Sequence, residues 1–290
     1  MPRKICSFDC IYCQLGKTPK KSVKRFSWVN LAKFKKELAV IIKRQPKIDY
    51  ITISGCGEPT LHKNLDQIIS SIKEITRNKY PVCVITNSSL LDKKEVRREL
   101  VGADLIIPSL DAINPHLFNK IDQPHRTIRL DKIIDGLADL RKEFVGKIWL
   151  EVMLIGDIND NLAEARKLKE VITKINPDKV QLNLPIRPSG VKIGFPDYKR
   201  VKRIKKIIGK ECEIVSSFYK DVQKKFSQSV QEDIVKYLNI RPATMKDLEK
   251  STGLRKQPLA GQIKKMLNLG LIIKKIHNRK IYFVCGRHHD

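Results

Sequence analysis

Between residue 31 and about residue 190, the apolar positions switch back and forth between two kinds of spacing. "LAKFKKELAVIIKR" (31–44), "LDQIISSIKEITRN" (65–78), "KKEVRRELV" (93–101), "RLDKIIDGLADLRKEF" (129–144) and "NLAEARKLKEVITKI" (161–175) carry them at helical intervals. Between these lie short apolar runs: "YITI" (50–53), "PVCVI" (81–85), "DLIIPSL" (104–110), "KIWLEVMLI" (147–155) and "KVQLNLP" (179–185). Five β-type runs separated by helices predict parallel strands with helical crossovers. The runs are continuous rather than alternating, as in a sheet covered by helices on at least one face. An α/β barrel or an open α/β sheet is the expectation.

Beyond residue 190 the pattern changes. "YKRVKRIKKIIGK" (198–210) predicts a basic helix with Val201, Ile204, Ile207 and Ile208 on its buried side. A polar linker is expected at "KKFSQS" (224–229). Three helices follow, at 230–239, 244–252 and 256–270, with Gly253 at the turn between the second and third. The stretch 271–284 predicts two strands joined near Asn278. Helix, helix, turn, helix and β-hairpin is the winged-helix order. The expected domains are therefore 1–222 and 223–290. No internal repeat or low-complexity tract occurs.

Composition narrows the function. The 290-residue chain is 41% hydrophobic, which predicts a packed core. Lys+Arg 58 against Asp+Glu 31 gives a formal charge of +27, a field that attracts polyanions. No apolar run approaches the ~18 residues of a membrane span. No apolar segment with a cleavage site opens the chain, so a cytoplasmic rather than secreted protein is expected, with its cysteines reduced. Closely spaced thiols there suggest metal or catalysis before disulfides.

Each expected strand runs into a loop of small or polar residues: "SGCGEPTLH" (54–62), "TNSS" (86–89), "SLDA" (109–112), "GDIND" (156–160) and "NLPIRP" (183–188). Ligands of parallel α/β folds bind where such loops converge. Cys6, Cys10 and Cys13 stand at C-x3-C-x2-C spacing. A [4Fe–4S] cube takes one thiolate per iron, so three thiolates would leave one iron open, as a catalytic centre requires. Structural zinc is disfavoured because no second C-x2-C pair follows, and a disulfide would leave an odd thiol. Cys83, Cys212 and Cys285 sit in apolar surroundings and read as core. Cys56 reads as an incidental small residue near the site. His62 reads as a loop hydrogen-bonding residue, and His288 and His289 as part of a tail.

The cysteine spacing with Tyr12 before the last Cys resembles the signature of the radical S-adenosylmethionine (radical SAM) superfamily, and "SGCGEPTLH" resembles its glycine-rich segment. The resemblance covers residues 1 to about 190. "CIYCQLG", "GEPTLH", "TNSSLL" and "SLDA" are closest to the iron–sulfur oxidoreductase branch, to which the tRNA wyosine-base synthases are related. Those synthases carry a different motif between the cysteines and a second cysteine set that this chain lacks. The resemblance implies a (β/α)6 barrel. Only "MPRKI" precedes Cys6, so a partial barrel lacking its first strand is expected, with one strand edge unpaired.

It also implies a [4Fe–4S] cluster on Cys6, Cys10 and Cys13, and S-adenosyl-L-methionine as partner of the open iron. Reductive cleavage would give a 5′-deoxyadenosyl radical that abstracts hydrogen from a substrate, with ferredoxin or flavodoxin as reductant. Carried over by position, Gly55, Gly57 and Glu58 would lie along the methionine moiety, with glycine permitting close approach. Ser109 and Asp111 would meet the ribose, Asn87 would be a polar contact, and the Tyr12 backbone would meet adenine. Asn183 and Arg187 would touch cofactor or substrate. No side chain is assigned as catalytic.

Charge speaks to the substrate. From Val222 onward there are 15 Lys/Arg against 5 Asp/Glu, and residues 198–210 add seven positive charges. A basic helix and wing favour RNA, either tRNA or rRNA. A peptide or protein held along the hairpin edge is the alternative, and a small metabolite remains open. A nucleic-acid-binding redox sensor is the reading from another class, and the converging loops argue against it.

Overall fold

The computed structural model of the chain describes residues 4–186, 189, 191, 193–215 and 230–286. The expected linker at 224–229, the boundary at 222/223, Arg187, His288 and His289 lie outside the described residues. The structure divides into two compact units. The first comprises Met1–Ile11, Thr18–Leu184 and Gly194–Val215, and the second Tyr12–Lys17, Pro185–Ile193 and Ser216–Asp290.

In the first unit, strands and helices follow one another as the spacing predicts. The order is α1 (Leu31–Ile42), β1 (Ile51–Ile53), α2 (Leu65–Thr76), β2 (Val82–Thr86), α3 (Lys94–Leu100), β3 (Leu105–Pro108) and α4 (Pro115–Asp122). It continues with α5 (Leu130–Glu143), β4 (Lys147–Met153), α6 (Leu162–Ile175), β5 (Lys179–Asn183), α7 (Tyr198–Ile208) and β6 (Cys212–Val215). The six strands form one sheet in chain order, every neighbouring pair parallel. The expectation of an α/β chain with a partial barrel holds. Two elements go beyond it: β6, whose charged Glu213 breaks the apolar run, and the short helix α4.

The register sorts the sheet into two faces. On β2 to β5 one face carries Val82, Val84, Ile106, Ile148, Leu150, Val152, Val180 and Leu182, each at most 1% exposed. Burying such aliphatic side chains contributes ~1.5–3 kcal/mol apiece before conformational entropy is charged against it. The opposite face turns polar toward β6. Ser109, Glu151, Gln181 and Glu213 form one row across four strands, with Trp149 and Lys179 two residues before and Met153 and Asn183 two residues after. Beyond β1, Ile5 pairs in parallel with Gly57.

The second unit holds α8 (Val230–Leu238), α9 (Met245–Thr252), α10 (Lys256–Asn268) and the antiparallel hairpin β7 (Ile272–His277) and β8 (Lys280–Cys285). Thr244 and Asp247 cap α9 reciprocally, and Gly253 ends it in the left-handed conformation, so the sequence punctuates this helix at both ends. Asn278 and Arg279 both take positive φ, as a two-residue turn of the primed type requires. Ile234, Leu248, Leu259, Ile263, Met266, Ile272 and Phe283 close a small core.

Candidate functional site

The segment holding Cys6 and Cys10 is stitched to the first unit by backbone bonds that other elements leave open. A helix ends with unsatisfied carbonyls, and at the end of α4 those of Ile121 and Asp122 accept the Ile11 and Asp9 N–H groups at 2.9 and 3.0 Å. The His125 N–H donates to the Ser7 carbonyl at 2.8 Å, and the Ser22 N–H to that of Cys6 at 3.0 Å. The Cys10 thiol donates to Asp122 Oδ1 at 3.4 Å, and Asn87 Nδ2 lies 3.5 Å from Cys6 Sγ and 2.9 Å from Ser7 Oγ. Burial and the neighbouring charge of Asp111 hold the Asp122 carboxyl well above the usual range. Tyr12 and Cys13 belong to the second unit, where the Gly16 N–H closes a turn on the Cys13 carbonyl.

No disulfide joins any of the seven cysteines, and Cys6, Cys10, Cys13 and Cys56 are half-buried. Among the described residues no three His, Cys, Asp or Glu side chains converge as ligands of a single ion would. A four-iron cube spreads its thiolates one per iron and does not require such convergence on one ion. The amide N–H beside Cys6 Sγ is the kind of outer donor that tunes such a cluster. Cys83 and Cys212 are unsuited to ligation: burial pushes their thiols up to about 11 and about 12.

The glycine-rich loop after β1 is clamped against the cysteine segment. The Ile5 N–H donates to the Cys56 carbonyl at 3.2 Å, and the Glu58 N–H to the Ile5 carbonyl at 3.0 Å. Gly57 takes φ +148°, and a Cβ there would meet the Ile5 carbonyl oxygen at 1.7 Å. The close approach at Gly57 is thus made by the chain itself. Gly55 faces open space, with nothing nearer than 3.9 Å. Glu58 is buried, and its Oε1 accepts from the Thr60 N–H, the Thr60 hydroxyl and the Thr86 hydroxyl at 3.0, 2.7 and 2.6 Å. Its Oε2 takes the Asn87 N–H at 2.7 Å. Burial raises this carboxyl, and the four bonds oppose the rise. Glu58 therefore ties the loops after β1 and β2 together.

The loops after β3, β4 and β5 meet in the same way. The Ser109 N–H donates to Thr86 O, the Leu110 N–H to Glu151 O, and the Met153 N–H to Asp111 Oδ1 at 2.7 Å. Asn159, fully engaged, donates to the Asp111 and Met153 carbonyls and accepts from the Ile155 N–H, all at 2.7 Å. Glu164 Oε1 accepts the Ile113 and Asn114 N–H groups. On the polar face Asn183 Nδ2 donates to Glu151 Oε2 at 2.7 Å. Burial, then the charge of Asp111, pushes Glu151 up to about 7. The first unit thus brings Gly55, Gly57, Glu58, Asn87, Ser109 and Asp111 together with Cys6 and Cys10. Sequence reasoning missed Asp122, Glu151, Asn159 and Glu164. Asn114-Pro115 is a start signal that could have revealed α4, and with it Asp122.

A cavity of about 270 Å³ opens beside the glycine-rich loop, on the β1 side, walled by Trp28, Val29, Phe34, Ile51 and Ile53. His62 lines it. Its Nε2 accepts the Val29 N–H at 3.2 Å, in line with the loop role expected of it, while its buried Nδ1 has no partner. On α7 the side chains of Lys199, Lys202, Arg203, Lys205 and Lys206 are exposed. In the second unit Arg255, Lys256, Lys264 and Lys265 of α10 and its cap, and Lys274, Arg279 and Lys280 of the hairpin, are exposed too. No described helix is long and apolar enough to cross a membrane.

The family model of the radical SAM superfamily matches residues 2–168. A GTPase Obg of Brachyspira hyodysenteriae is 37% identical over 282 residues, which is 96% of this chain but only 41% of that protein. The UPF0026 protein MJ1312 of Methanocaldococcus jannaschii is 30% identical over 292 residues, covering 98% of this chain and 89% of that protein. Among solved structures, a radical SAM methyltransferase from Sphaerobacter thermophilus shares the fold with a TM-score of 0.54. It is 19% identical, and the match covers 72% of this chain and 62% of that one.

Proposed function

The chain belongs to the radical SAM superfamily, whose enzymes use a [4Fe–4S] cluster and S-adenosylmethionine, and from that premise we propose an enzyme that abstracts hydrogen from a nucleic-acid substrate, RNA above all. Cys6, Cys10 and Cys13 would hold the cluster, and Gly55, Gly57, Glu58, Asn87, Ser109, Asp111 and the Tyr12 backbone the cofactor. With electrons from ferredoxin or flavodoxin, the bound pair supplies a 5′-deoxyadenosyl radical. What the chain contributes is position. Glu58 holds two loops in register, α4 anchors the cysteine segment, and Asn159 fixes the carbonyl of Asp111.

The observation that carries this reading is the clamp between the cysteine segment and the glycine-rich loop, through the Ile5–Gly57 pairing and the Cys6–Asn87–Glu58 contacts. Such a clamp suits two loops that must meet one ligand. For the substrate, the support is the exposed lysine and arginine of α7, and separately that of α10 and the hairpin. We read the second unit as a winged helix, and its basic helix and wing suit phosphate contacts.

The test is anaerobic cluster reconstitution, reduction with dithionite in the presence of S-adenosylmethionine, and assay of 5′-deoxyadenosine by mass spectrometry. Product is expected from the wild type and not from Cys10→Ala. A fully loaded wild type that forms none would refute the enzyme reading. RNA retention that falls steeply with salt supports phosphate contacts; salt-independent retention of a peptide would replace RNA by peptide.

A further inference from the structure

The polar row Ser109–Glu151–Gln181–Glu213 contains two glutamates in different circumstances. Glu213 is neutralised: Lys179 Nζ lies 3.3 Å from its Oε2, and Gln181 Nε2 donates to its Oε1 at 2.8 Å. Glu151 has no cationic partner among the described residues. Its backbone carbonyl takes the Leu110 N–H at 2.9 Å, which fixes it beside the Ser109–Asp111 loop. Its side chain receives Asn183 Nδ2 at 2.7 Å. In this bond the amide nitrogen of Asn183 faces the carboxyl as donor and Glu151 accepts. One Glu151 oxygen is left unspent, together with the second Asn183 N–H.

A carboxyl without a counter-ion, set among other acids, favours a ligand that brings N–H donors. An unspent amide N–H beside it favours a ligand that also brings an acceptor. Resting on the nucleic-acid reading above, we propose that Glu151 and Asn183 form the substrate-recognition pair and take the edge of a guanine base. Glu151 accepts from the ring N1–H and the exocyclic 2-amino group, and Asn183 donates to the 6-oxo group. The other candidates fit less well. Adenine and cytosine present an unprotonated ring nitrogen where Glu151 needs a donor, and uracil has one N–H where guanine has two. A guanidinium has donors only and leaves the Asn183 N–H unmet. Free guanine nucleotide and guanine in RNA share this chemistry.

Binding to the full-length chain, without cluster or S-adenosylmethionine, tests the pair apart from any turnover. GTP, ITP and ATP are titrated by calorimetry, then single-stranded RNA carrying one guanosine or one inosine, and an arginine-containing peptide. GTP or guanosine RNA is expected to bind at least about tenfold more tightly than its inosine counterpart, which lacks only the 2-amino group. Preference confined to GTP, or to RNA, identifies the source. Glu151→Gln should bring the guanosine and inosine affinities to within about twofold of each other. Asn183→Ala should weaken both alike, because both carry the 6-oxo group. Equal binding of guanosine and inosine by the wild type, a preference surviving in Glu151→Gln, or tighter binding of the arginine peptide overturns the proposal. The wild-type comparison stands even if a variant fails to fold. A guanine preference without 5′-deoxyadenosine formation refutes the enzyme reading alone; product formation without the preference refutes this one alone.

Discussion

Gly57→Ala probes the clamp directly. The added methyl carbon would stand 1.7 Å from the Ile5 carbonyl oxygen and 2.5 Å from its carbon. Both are backbone atoms, so no side chain can swing aside. If the loop yields, the Ile5–Cys56 and Ile5–Glu58 hydrogen bonds, at 3.2 and 3.0 Å, are lost, at about 0.5–1.5 kcal/mol each. If it holds, φ +148° must be kept by an L residue, at a strain of about 1–3 kcal/mol. Either way the cost is about 1–3 kcal/mol, a sizeable fraction of the ~5–15 kcal/mol by which a domain is stable. Gly55→Ala is the control, since its Cβ meets nothing nearer than 3.9 Å. Urea melts give the free energies, and timed labelling of Cys6 reports release of the segment. Gly57→Ala is expected about 1–3 kcal/mol below Gly55→Ala, with faster Cys6 labelling. Equal stabilities and equal labelling rates would refute the reasoning.

The remaining predictions concern titration and thiols. Glu151 is raised from an ordinary 4.5 to about 7, so the folded chain binds that proton more tightly than the unfolded one. Its contribution to stability is fully present below 4.5 and is lost as pH climbs through about 7. The groups that face it are Asp111, Gln181 and Asn183, with Asp122 behind Asp111. Glu151→Gln, which removes the titration, should gain about 2–3 kcal/mol on the wild type between pH 5 and pH 8; a pH-independent difference in melts would contradict this. In native chain at pH 8, an aromatic disulfide reagent should label Cys6, Cys10, Cys13 and Cys56 quickly. Cys83, Cys212 and Cys285, all buried, should react only on unfolding. Fast labelling of all seven would show that the buried set is not shielded.

Much of this could be read from spacing, because spacing is what a helix or a buried strand imposes on a sequence. The five apolar runs became β1 to β5, and the five loops after them lie at their carboxyl ends. Two elements, β6 and α4, escaped. In "ECEIV" two charges interrupt the run, yet Glu213 is tolerated because Lys179 and Gln181 sit across from it on β5, a partner no local window contains. Helix α4 is eight residues long, and its worth lies in carbonyls offered to a segment more than a hundred residues earlier. Glycine chemistry was legible in kind but not in cause. The sequence predicts a close approach at Gly57, and the approaching group is the Ile5 carbonyl rather than a ligand.

What separates the polar residues of the site is how much of their hydrogen-bonding capacity is already spent. Glu58 gives its carboxylate to four donors, Asn159 uses its whole amide on the backbone, and Glu164 closes on two N–H groups. Buried polar groups satisfied in this way rigidify a loop. Glu151 and Asn183 spend one bond on each other and keep the rest. An unspent buried carboxyl oxygen costs free energy until something donates to it. The residues that hold the site and the residues that would read the substrate are therefore distinguishable by hydrogen-bond accounting alone, and the account assigns reading to β4 and β5.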